Sequence, residues 1–365
     1  MRDIDQALTP VMPSKPQARH ETRGRVFQGI PGVEVSKSGK LFATWYGGGT
    51  TEGPENYVVF SESEDGGKSW SEQWIVEPQG HVRAYDPTLW IDPKGRLWWF
   101  WAQCYSRTEG NIFDGRAGVW AVIADNPDSI KWSQPLRIAN GVMMNKPLPL
   151  SNGDWAFPAA VWQDLGGANA LPELQKEKLS GLTVSKDEGK TFSFRGGAEM
   201  PFRCFDEHHC VELKDGRLWM LVRTFYGIGQ SFSTDMGKSW SPGWDSLLGG
   251  PNSRIFIRRL KSGRLLLVNH IVDPMNPSCR KDLAAKLSED DGKSWLGCLL
   301  LDEREEVSYP DGAQASDGSI WIAYDHARYK TGDILLAHFT EEDILAGRLS
   351  SEKSQLRVKV SCFKS

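Results

Sequence analysis

Several features are scarce in this sequence of 365 residues, and each scarcity argues against a class of protein. No apolar run approaches the roughly 18 residues that a membrane-spanning helix needs, so we expect no membrane span. The formal net charge of −4 lacks the basic surplus of a nucleic-acid-binding protein, so we expect no nucleic-acid partner. The six cysteines include no CxxC pair and no histidine at metal-ligand spacing. We therefore expect reduced thiols, no metal site and no cofactor.

Helical periodicity is also nearly absent, and the best candidate for a short helix is "TEEDILAG" from Thr340. The N-terminal segment is polar and lacks the apolar core of a signal peptide, which slightly favours a cytoplasmic location. We expect residues 1–24 to form an extended N-terminal arm and the chain to be one domain, residues 1–365.

Glycine and tryptophan, in contrast, are abundant, with 37 and 16 residues, and both suit many short strands joined by tight turns. Turns of the form polar–Gly–polar–apolar recur six times, about 55 residues apart, and each introduces an apolar or aromatic stretch. A β-hairpin turn of this kind uses glycine because its backbone takes a positive φ. The six glycines are Gly39, Gly95, Gly153, Gly216, Gly263 and Gly318.

A second repeated phrase, S-x-D-x-G-x-[ST]-[WF], starts at Ser63, Ser185, Ser233 and Ser288, and "ADNPDSIKW", ending at Trp132, looks like a degraded copy. Each copy follows a hairpin glycine by roughly 20 to 35 residues, which predicts a turn between a third and a fourth strand. Its aspartate can accept backbone N–H bonds, and its aromatic residue can enter the layer between sheets. Nothing in the phrase pairs a nucleophile with a base, so we interpret it as structural.

The two repeats together predict the fold. Six units of about 55 residues, each with four strands, predict an all-β protein folded as a six-bladed β-propeller of four-stranded antiparallel blades. Separate small β-domains are the alternative, but no Pro-, Ser- or Gly-rich linker divides the units. The C-terminal segment "QLRVKVSCF" alternates like a strand, and we expect it to complete a blade begun near the N-terminus and so close the ring.

In such a ring, a site is expected where the innermost strands begin near the central axis. Counting back nine residues from each hairpin glycine reaches Ile30, Asp86, Met144, Glu207, Arg254 and Tyr309. Four of these six side chains are ionisable or phenolic, which predicts a polar pocket. We expect Asp86 to pair with Arg83 and to contact the ligand. Further substrate contacts are expected from Gln28, Lys146 and His208, the last also a candidate acid or base.

The pair of Glu207 and Tyr309 indicates a specific chemistry. A tyrosine hydroxyl with a pKa of about 10 is a poor nucleophile alone, but an adjacent carboxylate can act as its base. Such a nucleophile suits a sugar whose anomeric carbon carries its own carboxylate, because that group would repel a carboxylate nucleophile. Arg254 could then hold the substrate carboxylate by a two-pronged hydrogen-bonded pair.

Over nearly its whole length the chain resembles the sialidase superfamily, whose propellers carry the repeated phrase as the Asp-box. "FDEHHCVELKDGRLWMLVRT" resembles the family segment with the activating glutamate and a carboxylate-binding arginine, which implies these roles for Glu207 and Arg223. "NSRIFIRRLKSGRLLLV" resembles the segment with another arginine of that triad, implying Arg254. "VSYPDGAQASDGSIWIAY" resembles the nucleophile segment, implying Tyr309.

Two departures from the family pattern concern the site. The family's first arginine stands in a Phe-Arg-Ile-Pro motif, but this chain reads "VFQGIPG" with Gly29 at that position, which leaves the triad incomplete unless Arg83 compensates. The family's general acid is an aspartate in the loop before the first Asp-box, where "YGGGTTEGPENYVV" offers Glu52 and Glu55 but no aspartate. Either glutamate is a candidate general acid.

The sequence leaves three functions open. The first is an exo-acting glycoside hydrolase of the sialidase type, which removes a terminal acidic sugar. The second is a related hydrolase or lyase on a uronate or deoxy sugar, which Gly29 and the pair of His208 and His209 favour. The third is a propeller that binds glycans or proteins without catalysis. For the two enzymes the expected partner is a carbohydrate substrate, and the oligomeric state is open.

Overall fold

The computed structural model describes residues 3–107, 110–113, 115–162, 171–273 and 275–363. These residues form six antiparallel sheets, each built from one contiguous stretch of chain, and the sheets are arranged as the blades of a ring. The predicted all-β class and the six-bladed β-propeller are therefore confirmed.

The strands of each blade follow one another along the chain from the inner to the outer edge. Blade I contains β1 (Gln28–Val35), β2 (Leu41–Gly47), β3 (Tyr57–Ser63) and β4 (Ser71–Val76). Blade II contains β5 (Val82–Ile91), β6 (Leu97–Arg107), β7 (Gly110–Ile112), β8 (Gly118–Ala124) and β9 (Leu136–Asn140). Blade III contains β10 (Leu148–Pro149), β11 (Trp155–Phe157), β12 (Ser180–Ser185) and β13 (Ser193–Ala198).

The second half of the ring repeats this order. Blade IV contains β14 (His209–Glu212), β15 (Leu218–Thr224), β16 (Gly227–Ser233) and β17 (Trp244–Asp245). Blade V contains β18 (Phe256–Arg259), β19 (Leu265–His270), β20 (Leu283–Ser288) and β21 (Leu296–Asp302). Blade VI contains β22 (Val307–Gln314), β23 (Ile320–His326), β24 (Asp333–Phe339) and β25 (Gln355–Ser361). The predicted short helix is α1 (Glu341–Ala346), which Thr340 caps.

The six predicted hairpin glycines all lie between the first and second strands of a blade, with φ between 84° at Gly95 and 93° at Gly318. Because each blade is a meander, these hairpins and the turns between third and fourth strands share one face of the ring. The starts of the inner strands and the loops between second and third strands lie on the other face. The loops that can surround a central site therefore come from one side.

All four full Asp-boxes occupy the predicted turn between a third and a fourth strand. In the first of them, Asp65 accepts hydrogen bonds from the Lys68 and Ser69 backbones at 3.0 and 2.9 Å, and Ser63 Oγ accepts one from Gly67 N at 2.9 Å. Hydrogen bonds from Ser69, above all, lower the pKa of Asp65 to about 2, so that it stays ionised in the loop. The boxes lie on the hairpin face, away from the inner-strand starts.

The core consists of apolar layers between neighbouring blades, and tryptophan fills much of it. Trp98 stacks on Phe100 with ring centroids 5.6 Å apart, and Trp90 meets Trp155 of the next blade edge-on at 5.0 Å. Both Trp90 and Trp98 are at most 2% exposed. This packing accounts for the abundance of tryptophan noted in the sequence.

The expectation for the C-terminal strand was wrong. β25 pairs with β24 of its own blade, so that no strand is exchanged between the two ends of the chain. Side chains close the ring instead: Gln28 donates to the Gly332 carbonyl at 2.6 Å, and Asp325 accepts from Ile30 N at 2.7 Å. Alternation identifies a strand but does not specify which strand it pairs with.

Two additions extend the simple pattern. Blade II carries β7 as a fifth strand, which pairs with the end of β6. The N-terminal arm contains the 3-10 turns Asp3–Leu8, Ala18–His20 and Thr22–Gly24, and Ser14 bridges to Ile75 at the outer edge of blade I. None of the helices in the described part of the chain has the length and apolar character that a membrane crossing requires. No disulfide joins the six cysteines.

Candidate active site

Three of the inner strands each contain a β-bulge, which the sequence analysis did not predict. The pairing of β1, β5 and β22 with their neighbours shifts at Ile30, Asp86 and Tyr309, each of which precedes a proline. Their φ angles are 58°, 47° and 58°, in the left-handed region that side chains other than glycine rarely adopt. A bulge re-aims a side chain, and all three of these line the same central cavity.

That cavity has a volume of about 450 Å³ and lies at the face where the inner strands begin. It combines seven acidic or basic residues with two tyrosines, an amide and an apolar wall. The acidic and basic residues are Glu52, Arg83, Asp86, Glu207, Arg223, Arg280 and Arg328. The others are Ile30, Tyr85, Asn111, Phe113, Met144, Trp162, Phe205 and Tyr309.

The predicted pair of Glu207 and Tyr309 is in contact. Tyr309 Oη donates a hydrogen bond to Glu207 Oε1 at 3.0 Å, and Arg223 Nη1 donates to Tyr309 Oη at 2.9 Å and also to Glu207 Oε1. Burial and then the charge of Glu207 raise the pKa of Tyr309, while the nearby arginines oppose this rise. The phenol is therefore protonated at neutral pH, and Glu207 is positioned to take its proton.

Two arginines that the sequence analysis missed complete the surroundings of Tyr309. The guanidinium carbons of Arg280 and Arg328 lie 5.3 and 4.2 Å from the centroid of its ring. Asn252 positions two of the cations, since its side-chain oxygen accepts from Arg223 and its carbonyl accepts from Arg280 at 2.7 Å. Arg280 and Arg328 come from loops between second and third strands, where neither periodicity nor a motif marks them.

Arg83 and Asp86 lie on β5 at another side of the cavity. Arg83 is 1% exposed and stacks on Tyr85 at 4.2 Å, and its Nε and Nη2 find no hydrogen-bond partner in the described part of the chain. Burial, followed by the charge of Glu52, raises the pKa of Asp86 to about 8. Asp86 is therefore mostly protonated at neutral pH, and the described residues form no salt bridge between it and Arg83.

The raised pKa of Asp86 predicts a pH dependence of stability. Because the unfolded-state pKa of aspartate is about 3.9, the folded state retains a proton that the unfolded state loses, and stability falls as the pH rises from about 4 to about 8. Asp86→Asn should remove this pH dependence. The melting temperature of the variant should therefore rise relative to that of the wild type as the pH increases from 5 to 9. Asp215→Asn, at an exposed turn, is the control and should track the wild type. Parallel curves for Asp86→Asn and the wild type would contradict the prediction.

Of the two candidate acids in the loop between β2 and β3, only Glu52 lines the cavity. Its side chain is 41% exposed, and its Oε1 lies 3.8 Å from Arg328 Nη1. Glu55 is exposed outside the cavity. Asn56 fixes the shape of this loop by donating to the carbonyls of Gly48 and Thr51 at 2.7 and 2.9 Å.

Arg254, predicted to bind the substrate, does not line the cavity. Its side chain is fully buried, and its guanidinium donates to Asn145 Oδ1 at 2.6 Å, to the Met144 carbonyl at 2.7 Å and to Asp311 Oδ1 at 3.3 Å. These partners belong to other parts of the ring, so Arg254 ties the structure together near the axis. This corrects the role that the family resemblance implied.

Lys146, Gln28 and His208 also lie outside this cavity. Lys146 Nζ donates to the carbonyls of Val33 and Leu89, both at 2.6 Å, and so links blades I and II to the segment before blade III. Gln28 is fully buried where blades I and VI meet. His208 Nε2 lies 2.6 Å from the Gly181 carbonyl, and burial lowers its pKa. Their polar groups serve the packing of the ring rather than the cavity.

A larger cavity, about 570 Å³, opens beside β14 and β18 on the hairpin face. Its lining includes His209, whose pKa burial holds well below its usual value, and Cys210, whose thiol pKa burial raises. Ser151 Oγ donates to Glu212 Oε1 there, but Ser151 is exposed, and no histidine in the described part of the chain hydrogen-bonds to it as a base. Nor do three or more metal-ligating side chains cluster anywhere in the described residues. The smaller cavity around Tyr309 is therefore the candidate active site.

Comparison with known proteins agrees with this architecture. Residues 39–322 match the family described as a BNR repeat-like domain. No curated protein matches the sequence. Among solved structures, the Hadza microbial sialidase Hz136 aligns at a TM-score of 0.67 and 19% identity, over 87% of this chain and 66% of that one.

Two further structures align at similar scores. The intramolecular trans-sialidase from Ruminococcus gnavus, solved with oseltamivir carboxylate, has a TM-score of 0.63 and 16% identity over 87% of this chain and 95% of that one. A Dyadobacter fermentans protein of unknown function has a TM-score of 0.63 and 16% identity, over 90% of this chain and 97% of that one. The protein is thus a BNR-repeat propeller that shares its fold with solved sialidases. It belongs to the BNR repeat-like family, whose match covers more than half of the chain.

Proposed function

We propose that this protein is an exo-acting glycoside hydrolase that removes a terminal acidic sugar, such as a sialic acid, through a tyrosine nucleophile. The observation that carries the proposal is the contact of 3.0 Å between Tyr309 Oη and Glu207 Oε1, with one Arg223 nitrogen bonded to both. This arrangement couples a nucleophile to a base inside a concave site.

The reaction would proceed in two displacements. Tyr309 Oη bonds to the anomeric carbon while its proton passes to Glu207, and the glycosidic oxygen takes a proton from Glu52 and departs. Water then attacks the same carbon, Glu52 takes a proton from that water, and Tyr309 recovers its own from Glu207. Glu52 suits the acid role because, at 41% exposure, it lies where a leaving group reaches solvent.

The charges around Tyr309 support an acidic sugar. Arg223 and Arg280 flank the phenol and share the support of Asn252, so a carboxylate on the reacting carbon would meet preorganised guanidinium donors. The apolar wall of Phe113, Trp162 and Phe205 offers packing for the less polar parts of the ring.

The test is turnover of an aryl α-sialoside. We expect release of the aryl group and, in early NMR spectra, retention of the anomeric configuration, because two inversions at one carbon cancel. An aryl glycoside of a neutral sugar serves as the control and should remain intact. Folded protein that releases no aryl group between pH 4 and 9 would overturn the proposal.

Two observations weigh against the alternative, a lyase or hydrolase on a uronate or deoxy sugar. Neither His208 nor His209 lines the cavity around Tyr309. The alternative was also favoured by the absence of an arginine at position 29, but the side chain of Arg328 fills the space beside Gly29.

A further inference from the structure

The space beside Gly29 holds an arginine from another blade. A Cβ atom added to Gly29 would lie 2.4 Å from Arg328 Cδ, 2.6 Å from Arg328 Cγ and 2.9 Å from Asp325 Oδ2. The φ of Gly29 is outside the left-handed region, so its backbone does not by itself require glycine. Glycine is needed at this position because the stem of Arg328 crosses the place where a side chain would stand.

Arg328 is held firmly in this place. Its Nε lies 2.9 Å from Asp325 Oδ2, and its Nη2 donates to Ser308 Oγ at 2.9 Å. Asp325 has further donors in Ile30 N at 2.7 Å and Ser308 Oγ at 2.8 Å, so the carboxylate is itself fixed. A guanidinium oriented in this way loses little freedom when it binds a ligand.

One end of this guanidinium remains available. Nη1 makes no hydrogen bond to the described residues, and Glu52 Oε1 lies 3.8 Å from it. The side chain is 11% exposed, lines the cavity, and lies 4.2 Å from the centre of the Tyr309 ring. A carboxylate on the carbon that Tyr309 attacks would therefore come within reach of Nη1.

We infer that Arg328 binds the substrate carboxylate from the space that an arginine at position 29 would otherwise occupy, and that it does so together with Arg223 and Arg280. This inference rests on the proposed function. It also distinguishes Arg328 from Arg83, whose Nε and Nη2 are buried and whose guanidinium carbon lies 5.4 and 4.2 Å from the ring centroids of Tyr46 and Tyr85.

The test compares binding of 2-deoxy-2,3-didehydro-N-acetylneuraminic acid with binding of its methyl ester, by isothermal titration calorimetry on the full chain. The wild type should prefer the acid. Arg328→Gln should reduce the acid-to-ester affinity ratio by about 10- to 100-fold, which is the usual worth of a hydrogen bond to a charged group. Arg83→Gln tests the competing arginine of the cavity, and on this inference it should keep a ratio close to that of the wild type.

A positional swap provides the second arm. Gly29→Arg combined with Arg328→Ala removes the Arg328 stem from this space, although Asp325 stays beside it, and supplies an arginine from β1 instead, so the ratio should recover most of its wild-type value. Gly29→Arg alone meets Arg328 and should lower the melting temperature. If the folded double variant does not regain the acid-to-ester affinity ratio, Arg328 does not take the place of an arginine at position 29.

The outcomes separate this inference from the proposed function. A wild type with no preference for the acid overturns both. A wild type that prefers the acid, with an unchanged ratio in Arg328→Gln, overturns only the role of Arg328. If Arg83→Gln loses the ratio instead, the carboxylate site belongs to Arg83.

Discussion

Replacing Tyr309 by phenylalanine should lower kcat/KM on an aryl sialoside by about 10³-fold or more, because the variant lacks the oxygen that attacks the anomeric carbon. The fold should persist, since the ring stays in the bulge of β22 and only the hydroxyl is lost. Affinity for an acidic-sugar inhibitor should change little by comparison. Steady-state kinetics beside calorimetric binding would measure both quantities.

Two further variants sharpen this result. Glu207→Gln should lower the rate by about 10²- to 10⁴-fold, the usual contribution of a general base. Tyr329→Phe is the control, because Tyr329 is 56% exposed and does not line the cavity; its kinetics should match the wild type. A Tyr309→Phe variant with a rate within about tenfold of wild type would rule out the nucleophile role.

Replacing Arg254 by methionine should reduce the free energy of unfolding by about 3 to 5 kcal/mol, because removal of one partner leaves buried polar groups uncompensated. The side chains of Arg254 and Asp311 are both fully buried. Asn145 Oδ1 would also lose the hydrogen bond that it accepts from the Arg254 guanidinium. Urea denaturation monitored by tryptophan fluorescence would measure the loss.

The same variant separates two roles of Arg254. If Arg254 binds the substrate carboxylate, as the family resemblance implied, the variant should lose affinity for an acidic sugar and keep its free energy of unfolding. If Arg254 instead stabilises the ring near its axis, the free energy of unfolding should fall. Arg258→Met, four residues further along on β18 and partly exposed, is the matched control and should stay within about 0.5 kcal/mol of wild type. An Arg254→Met protein with wild-type stability and weakened acid binding would reverse our interpretation.

Arg254 and Tyr309 show what the spacing from a hairpin glycine can and cannot predict about a side chain. Both stand nine residues before a hairpin glycine, and both prove to lie near the axis. Tyr309 enters the cavity because a bulge turns it there, whereas Arg254 lies among carbonyls and carboxylates that join the blades. A spacing specifies how far along a strand a residue lies, but not the direction of its side chain.

The spacing of the repeats does not predict which loop residues line the cavity. Arg280 and Arg328 belong to connections between second and third strands, which have no regular period and are near Tyr309 only in the folded ring. The Gly29 position was recognised as a departure from the family pattern, yet its cause lies almost 300 residues further along the chain, in Arg328. Contacts of such separation leave no local signal.

The sequence by itself determined the blade number and the hairpin and Asp-box turns, and it indicated Glu207, Arg223 and Tyr309 as candidates, which the structure places in one cavity. These features are local: glycine at a positive φ, an aspartate that binds its own loop, and a strand pattern repeated about every 55 residues. The tertiary structure alone decided the partner of β25, the division of polar residues between cavity and axis, and the place of Arg328. Those outcomes depend on the packing of side chains from different blades, because a buried charge must find its partners wherever the closed ring brings them together.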